Sequence, residues 1–395
     1  MEKKALIWLL YQKQWKDYLK ERKLQESIRQ IFNPIPTIIS IDVAMILKGL
    51  KITGADEIIQ ANDIDWVLKE VVRCMLIDGI AWLDISLVNG KIYLAPLSIN
   101  EVSDLKYDEG GNIIQATVKT ELMTKQYIID EQGKRWVKIT TPEQEGEPVP
   151  YTREFIPLVE FTGLYTDDEK NISRVEGIED TIDAINEYEH IIMRIARLHG
   201  DPVIWGNVSM DTNEVAEKDE KRQEGEFRYL EVPEGGNLQY LEMSGNVMRY
   251  AMEKVQQLKE DVIYEYPELM LNQIMRGGAM TGYAVTLKLT GLDTVISGYR
   301  ANFEAGLKKT LTYALIMLGK KPEFTVEFEP ILPPDKDAVL SRVLQAYSGG
   351  LLPFETAVRK IAHLFGEDPQ DVLQKLQEVQ DVYAQQWEVV SNEEG

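Results

Sequence analysis

The sequence of 395 residues predicts an α+β fold, and three observations support this prediction. Apolar residues recur at three-and-four spacing over several long stretches, which is typical of amphipathic helices. Between residues 80 and 139 the apolar period changes to two, which indicates antiparallel strands. Residues 335–389 then return to helical spacing. We therefore expect long helices, a strand-rich segment and a helical C-terminal part.

Composition and charge exclude some classes of function. Hydrophobic residues make up 44% of the chain, which is enough to bury sizeable cores. There are 65 acidic and 43 basic residues, a formal net charge of -22 and a pI near 4.7. Such a protein is not expected to bind the phosphate backbone of nucleic acids tightly. A ring or tube of these subunits would repel DNA from its walls, which suits a conduit better than a clamp.

Two features bear on the compartment and on membranes. Cys74 is the single cysteine and lies in an apolar run, which predicts a buried structural thiol in a reducing compartment. The apolar run 5–11 lacks a small-residue cleavage site and is far shorter than the roughly 20 residues of a membrane span. We expect a short amphipathic helix there, with a basic face that is solvated or contacts another subunit, and no membrane partner.

The first 165 residues are expected to form one α+β unit. Helical spacing covers 37–50 and 64–77, with Asp63 placed to cap the second helix and Gly79 to end it. Asn89-Gly90 between two alternating runs is a hairpin signal. The other predicted extended segments are 51–54, 101–107, 113–122, 126–129 and 135–139, and a polar connection follows at 141–152.

A long helix and a small insert come next. Ser173 and Glu176 have the spacing of a capping box, and isoleucines at helical spacing continue to His199. This pattern predicts a helix of about 27 residues. Residues 201–243 differ in character, because short strand candidates surround a charged loop at 211–226.

The rest of the chain is organised around residues 244–319. Two long amphipathic helices are predicted here, joined by a loop that contains Pro267 and Gly277-Gly278. The second helix holds one apolar stripe until Gly319, which is placed as a left-handed C-cap. This stripe far exceeds the usual helix length of roughly 11 to 12 residues. The helix must therefore cross a large domain or pack beside copies of itself.

After Gly319 a strand and three helices are predicted. In residues 323–331, acidic and polar side chains share one face and apolar side chains the other, as in a half-buried strand. The three helices are predicted at 335–346, 353–364 and 369–389, and Asp368 is placed to cap the last of them.

Several local patterns, in this order, resemble the portal proteins (head-to-tail connectors) of tailed bacteriophages. The segments that carry the resemblance are Gly79 to Ile85, Gly90 to Leu94, Pro96-Leu97, Ile182 to Tyr188, Thr281 to Lys288, Glu329 to Asp335, Gly350 to Thr356 and Asp368-Pro369. The resemblance covers nearly the whole chain. It implies a subunit with long stem helices, an α+β wing, a small inserted clip and a helical C-terminal crown.

The resemblance also implies an assignment of segments. The wing would comprise 1–165 together with 281–331, the stem helices 166–200 and 244–266, the clip 201–243, the tunnel loop 267–280 and the crown 332–395. It implies a ring, usually of twelve copies, at one capsid vertex of the virion, made in the bacterial host cytoplasm. The implied function is a channel for packaging and ejection of double-stranded DNA.

The implied partners are other copies of the chain, the large terminase motor, the major capsid or scaffolding protein, head-completion or adaptor proteins, and DNA in weak contact with the channel. The clip residues expected to meet the motor and the head-completion proteins are Glu217, Lys218, Glu220, Lys221, Arg222 and Glu224.

The expected DNA contacts lie in the tunnel loop. Asn272, Gln273 and Arg276 are candidates for transient phosphate contact. Gly277 and Gly278 supply the backbone freedom that a moving loop needs. In the alternative interpretation, the two glycines end a turn and Arg276 pairs with a neighbour's carboxylate.

No enzymatic site, cofactor or metal is predicted. The three histidines lie far apart, and Glu187 with His190 forms an isolated pair on a helix surface. Glu327, Glu329, Asp335 and Asp337 could belong to a two-metal carboxylate site, but a half-buried strand with a solvated acidic face explains the strand acids better. The phosphate-loop motif is missing around Gly277.

Besides a portal, a phage structural adaptor of the tail or baseplate with a helical bundle remains open as a function. A monomeric metal-dependent enzyme is a third alternative, which would need bound metal and would lose activity on Glu327→Ala or Asp335→Ala.

Overall fold

A computed structural model of the chain describes residues 3–22, 31–130, 134–164, 172–200, 204–207, 237–240, 245–270, 282–331, 336–376 and 378. Within these residues the fold is mixed helix and sheet, as predicted.

In the part of the chain that the structure describes, ten α-helices are numbered in chain order. They are α1 (Lys3–Tyr11), α2 (Trp15–Glu21), α3 (Ile35–Ile46), α4 (Asp56–Ala61), α5 (Ile64–Asp78), α6 (Ile178–Gly200), α7 (Gly245–Glu265), α8 (Gly282–Met317), α9 (Lys336–Ser348) and α10 (Phe354–Phe365). Residues 369–376 are also helical, and Asp368 accepts a hydrogen bond from the Gln370 amide at 2.8 Å, as expected of a cap.

The strands of the described ranges form four antiparallel sheets. The strands are β1 (Lys51–Thr53), β2 (Ile80–Val88), β3 (Lys91–Leu97), β4 (Val102–Tyr107), β5 (Ile113–Lys119), β6 (Thr124–Ile129), β7 (Arg135–Thr140), β8 (Val149–Pro150), β9 (Leu158–Thr162), β10 (Ile204–Asn207), β11 (Asn237–Tyr240) and β12 (Thr325–Glu327). One sheet has the order β3-β2-β9 and another is the meander β4 to β8, while β1 pairs with β12 and β10 with β11.

Strand β2 lies between two cores, which explains its nearly continuous apolar sequence. Ala81, Leu83 and Ile85 face the main core, which also includes α1, α3, α5, α8 and the start of α6. Ile80 and Trp82 face a smaller core between the β2 sheet and the five-stranded meander. The structure is thus layered, with helices, then the three-stranded sheet, then the meander.

Several local predictions are confirmed. Asp63 caps α5 by accepting from the Trp66 amide, and Gly79 ends α5 with φ 74°. Asn89 and Gly90, both with positive φ, join β2 to β3. Gly319 ends the 36-residue helix α8 with φ 73°.

The predicted start of the first long helix is wrong. The helix was expected to begin near a capping box at Ser173, but α6 begins at Ile178. The Ser173 hydroxyl donates to the Leu76 carbonyl and accepts from the Val175 amide, both at 3.3 Å, and Gly177 has φ 87°. The left-handed backbone at Gly177 separates this local turn from the helix.

The N-terminal and closing elements also differ in part from the predictions. The amphipathic helix is present as α1, and Leu6, Ile7 and Leu10 are buried in the main core. Strand β12 is shorter than the predicted 323–331, although burial alternates along it as expected. Cys74 is a buried free thiol, and burial raises its pKa to about 12.

Candidate functional site: the two-helix arm and its charged base

Helices α6 and α7 form an antiparallel pair, named here the arm. Arg174, just before α6, contacts Glu268, just after α7, and further along Lys259 on α7 binds Glu189 on α6 at 2.6 Å. At the far end β10 pairs with β11. At 1.5 Å per residue the two helices are roughly 30 to 35 Å long.

The facing sides of the arm are apolar. Ile185 and Ile195 on α6, with Ala251, Val255 and Val262 on α7, are buried. They repeat at three-and-four spacing, so each helix buries one narrow stripe against the other.

The outward sides of the arm also carry large apolar groups. Tyr250 is 64% exposed and Tyr264 is 92% exposed on α7. Their spacing is close to four helical turns, which places them on the same face. Ile191 on α6 and Met252 on α7 are exposed as well. Such a set of exposed side chains along a helix pair is typical of a protein contact surface.

The base of the arm is held by a second set of contacts from α2. The Tyr18 hydroxyl donates to Asp183 at 2.7 Å, and Arg22 binds both Asp183 and Asp180 on α6. The amide of Asn186 also donates to the Phe32 carbonyl at 3.3 Å. These contacts fix the first half of α6 to the N-terminal part of the chain.

A buried charged cluster lies where the arm meets the body. Arg174 Nε donates to Asp42 Oδ2 and its Nη2 to Glu268 Oε1, both at 3.1 Å. The guanidinium also stacks 4.7 Å from the centre of the Tyr266 ring. Both carboxylate side chains have no exposed surface. One cation therefore serves two buried acids from separate parts of the chain.

Burial is the largest cause of the raised pKa values of the two acids in this cluster. It raises the pKa of Asp42 to about 8, with a further contribution from the charge of Glu268. Burial also raises the pKa of Glu268, although Arg174 opposes the shift. Neither acid was predicted as a site residue from the sequence. The available signal was a single carboxylate, Asp42, within the apolar helix α3.

Helix α8 ties the two ends of the body together. Arg300 donates to the carbonyl oxygens of Met45 and Ile46 at the end of α3, and to the Glu329 carbonyl at 2.6 Å. The Asn302 amide donates to the Gly163 carbonyl at 2.7 Å. The long helix thereby fixes α3, β9 and the chain beyond β12, and all of these contacts join residues far apart in sequence.

The predicted site residues are not tested by these contacts. The tunnel-loop residues Asn272, Gln273, Arg276, Gly277 and Gly278 lie outside the described residues. The same is true of the clip residues Glu217, Lys218, Glu220, Lys221, Arg222 and Glu224. Of residues 201–243, which are predicted to form the clip, the structure describes the β10–β11 pair.

The described residues offer neither a clustered metal site nor a membrane-spanning helix. Among them, no group of three or more His, Cys, Asp or Glu side chains is arranged to hold a metal ion. Glu327 lies on the exposed side of β12, and Asp335 is outside the described part of the chain. Within the described ranges, none of the helices combines the length and the apolar character that crossing a membrane requires.

Comparison with known proteins gives a likeness of fold. No protein-family model matches the sequence, and no curated protein matches it. Among solved structures, the chain is similar to one in the virion of a native gene transfer agent (GTA) particle, with 12% identity and a TM-score of 0.55 over 85% of this chain and 91% of that chain. It is also similar to a chain in the neck of a native GTA particle computed with C12 symmetry, with 14% identity, a TM-score of 0.53 and the same coverage. The chain thus shares its fold, over most of its length, with components of a GTA particle.

Proposed function

We propose that this chain is a portal subunit of a phage-like particle. Twelve copies form a ring at one capsid vertex, and double-stranded DNA passes through the ring during packaging and ejection. The observation that carries the proposal is the fold likeness to the GTA virion and neck chains, which extends over 85% of this chain. The sequence motifs that resemble portal proteins support the same conclusion.

The exposed apolar faces of the arm support a ring. Tyr250, Tyr264 and Ile191 are exposed in a single chain, although large apolar side chains of this kind gain most from being covered. In a head-to-tail ring, each arm would cover the next one, and every copy would use the same two surfaces. The C12 symmetry of the GTA neck structure fits such an arrangement.

In this proposal the segments take the roles that the resemblance implies. The arm helices belong to the stem at 166–200 and 244–266, the β10–β11 pair belongs to the clip at 201–243, and 267–280 is the tunnel loop. The wing comprises 1–165 with 281–331, and 332–395 is the crown. The pairing of β1 with β12 and the contacts of Arg300 support joining the two wing segments.

Charge and chemistry agree with a passive channel. Because the subunit has a net charge of -22, it would neutralise few DNA phosphates, and few counterions would be released from the DNA. DNA would therefore slide past the ring. Arg276 and its neighbours in the tunnel loop would supply the weak contacts. The energy for DNA movement would come from the large terminase, which docks on the clip, and head-completion proteins would bind there later. The capsid or scaffolding protein would hold the ring in the virion.

A structural adaptor of the tail or baseplate is the second candidate. The long arm helices are the feature that favours it, because they could form a closed helical bundle of few subunits. Subunit number separates the two candidates.

The first test measures assembly by native mass spectrometry at low and high salt. We expect closed rings of about twelve subunits, with a larger ring fraction at high salt because screening weakens the repulsion between acidic subunits. A monomer, dimer or trimer at every salt concentration would favour the adaptor.

A second test uses the outward face of α7. The double variant Tyr250→Glu with Tyr264→Glu should require at least about tenfold more protein for half-assembly, because it places charges in the subunit contact. Leu122→Glu is the matched control, since Leu122 is 75% exposed and lies in the turn between β5 and β6. Equal loss of assembly in the control and the double variant would exclude the arm face as the contact.

A further inference from the structure

We propose that Asp42, Arg174 and Glu268 form a buried proton-binding site that holds one proton on its two carboxyl groups. The site joins three segments: Asp42 lies in α3, Arg174 precedes α6 and Glu268 follows α7. It therefore connects both helices of the arm to the body. This inference concerns the single chain and does not depend on the proposed ring.

The geometry leaves one oxygen of each acid without a partner. Arg174 binds Asp42 Oδ2 and Glu268 Oε1. Asp42 Oδ1 and Glu268 Oε2 are buried and have no hydrogen-bond partner among the described residues. An ionised carboxylate oxygen in such a place is unfavourable, whereas a protonated carboxyl carries no charge. The two unpaired oxygens are the positions at which the proton can bind.

The charges around the site do not balance without a proton. Arg174 supplies one positive charge and the two acids would supply two negative charges. Tyr266 and Tyr299 also face the guanidinium, and burial raises the pKa of both phenols, that of Tyr299 to about 12, so both are neutral.

Two further acidic residues and one hydroxyl lie near the cluster. Glu265 and Glu179 both raise the pKa of the Tyr266 phenol. Ser173, beside Arg174, is uncharged and donates to the Leu76 carbonyl. One bound proton makes the three-residue cluster neutral, which is the state that burial favours.

The direction of the pH effect follows from this geometry. The pKa of Asp42 is raised to about 8 in the folded chain, from an ordinary value of about 4 in the unfolded chain. Folding therefore takes up a proton between these two values. The stability that the proton contributes is complete below the unfolded pKa and is lost as the pH rises through the folded pKa. Once the proton has left, the base of the arm carries an unbalanced negative charge.

The test compares urea unfolding of the full chain and of Asp42→Asn between pH 6 and pH 8. The wild-type unfolding constant should rise by up to about tenfold per pH unit relative to the variant, because only the wild type loses the proton. Asp56→Asn is the matched control, since Asp56 is exposed at the start of α4. The control should keep the wild-type slope. Equal slopes for wild type and Asp42→Asn would overturn the proposal.

Two further variants guard against a merely structural effect. Glu268→Gln should flatten the pH slope as Asp42→Asn does, so either variant can be used if the other does not fold. Arg174→Met leaves two buried acids without their cation, and it should be folded at pH 5 but lose its stability by pH 8. Amide hydrogen exchange of α6 and α7 should show this loss at the arm. Stability of Arg174→Met that does not change with pH would contradict a bound proton.

Discussion

Gly306 and Gly291 both lie in α8, but their surroundings differ. A Cβ atom at Gly306 would lie 2.6 Å from Cδ1 and Cε1 of the buried Phe161 ring. A Cβ atom at Gly291 would meet nothing within 4 Å. The two positions therefore allow the same substitution to be tested in one helix, once against a packed ring and once in open space.

Gly306→Ala should destabilise the chain by about 1 to 3 kcal/mol, because the fully buried Phe161 cannot move away. Gly291→Ala should stabilise it by about 0.5 to 1 kcal/mol, since alanine loses less backbone entropy in a helix. Thermal and urea unfolding of the two variants would measure both effects. An equal change in the free energy of unfolding of the two variants would show that the Phe161 ring does not oppose a Cβ atom at position 306.

Residues that begin or end a helix through the local backbone could be predicted from the sequence. Asp63 and Gly79 at the ends of α5, and Gly319 after α8, depend on local backbone geometry that the sequence pattern signals directly. Asp42 and Arg174 could not be paired in this way. They are far apart in the chain, and their meeting depends on how α3 packs against the start of the arm.

At the scale of whole elements, Arg300 clamps α3 against the end of the body. Its guanidinium donates to the last carbonyl groups of α3 and to the Glu329 carbonyl, and it stacks 5.0 Å from the centre of the Phe328 ring. The carbonyl groups at a helix end need such partners, because no further turn of the helix satisfies them.

Arg300→Met should therefore cost about 2 to 3 kcal/mol, because it leaves these carbonyl groups without a charged donor. Hydrogen exchange should increase at the C-terminal end of α3 and at the β1–β12 pair. Lys308→Met is the control on the same helix, because its exposed pair with Glu304 should contribute less than about 1 kcal/mol. If the control cost as much as Arg300→Met, the clamp would not explain the loss.

The presence and type of most helices and strands could be predicted from the sequence. The residues at which they begin and end could be predicted less well. Helical stripes and the Asn89-Gly90 hairpin are periodic or local signals, and both appear in the fold. The predicted start of α6 is wrong because Gly177, with φ 87°, lies between Ser173 and the helix. Strand β12 pairs with β1 over three residues, Lys51 to Thr53. The extent of such pairing between distant segments is not contained in a sequence pattern.

At the scale of the whole molecule, a long arm extends from a layered body and carries exposed tyrosines on one side. The stripe of α8 could have served a large domain or contacts between copies. In the fold Leu292, Ile296 and Phe303 are buried within the chain's own main core. The uncovered apolar surface of the arm is instead on α6 and α7. The DNA-contact and clip residues stay predictions from the sequence, because they lie outside the described part.

Copies of this chain are proposed to form a ring with an open channel. Electron cryomicroscopy of the full chain, purified at high salt, would count the subunits in end-on class averages. We expect closed rings of about twelve subunits with neighbouring arms in contact and an axial opening wide enough for duplex DNA. Particles of two or three subunits, or a ring closed along its axis by packed helices, would contradict the claim.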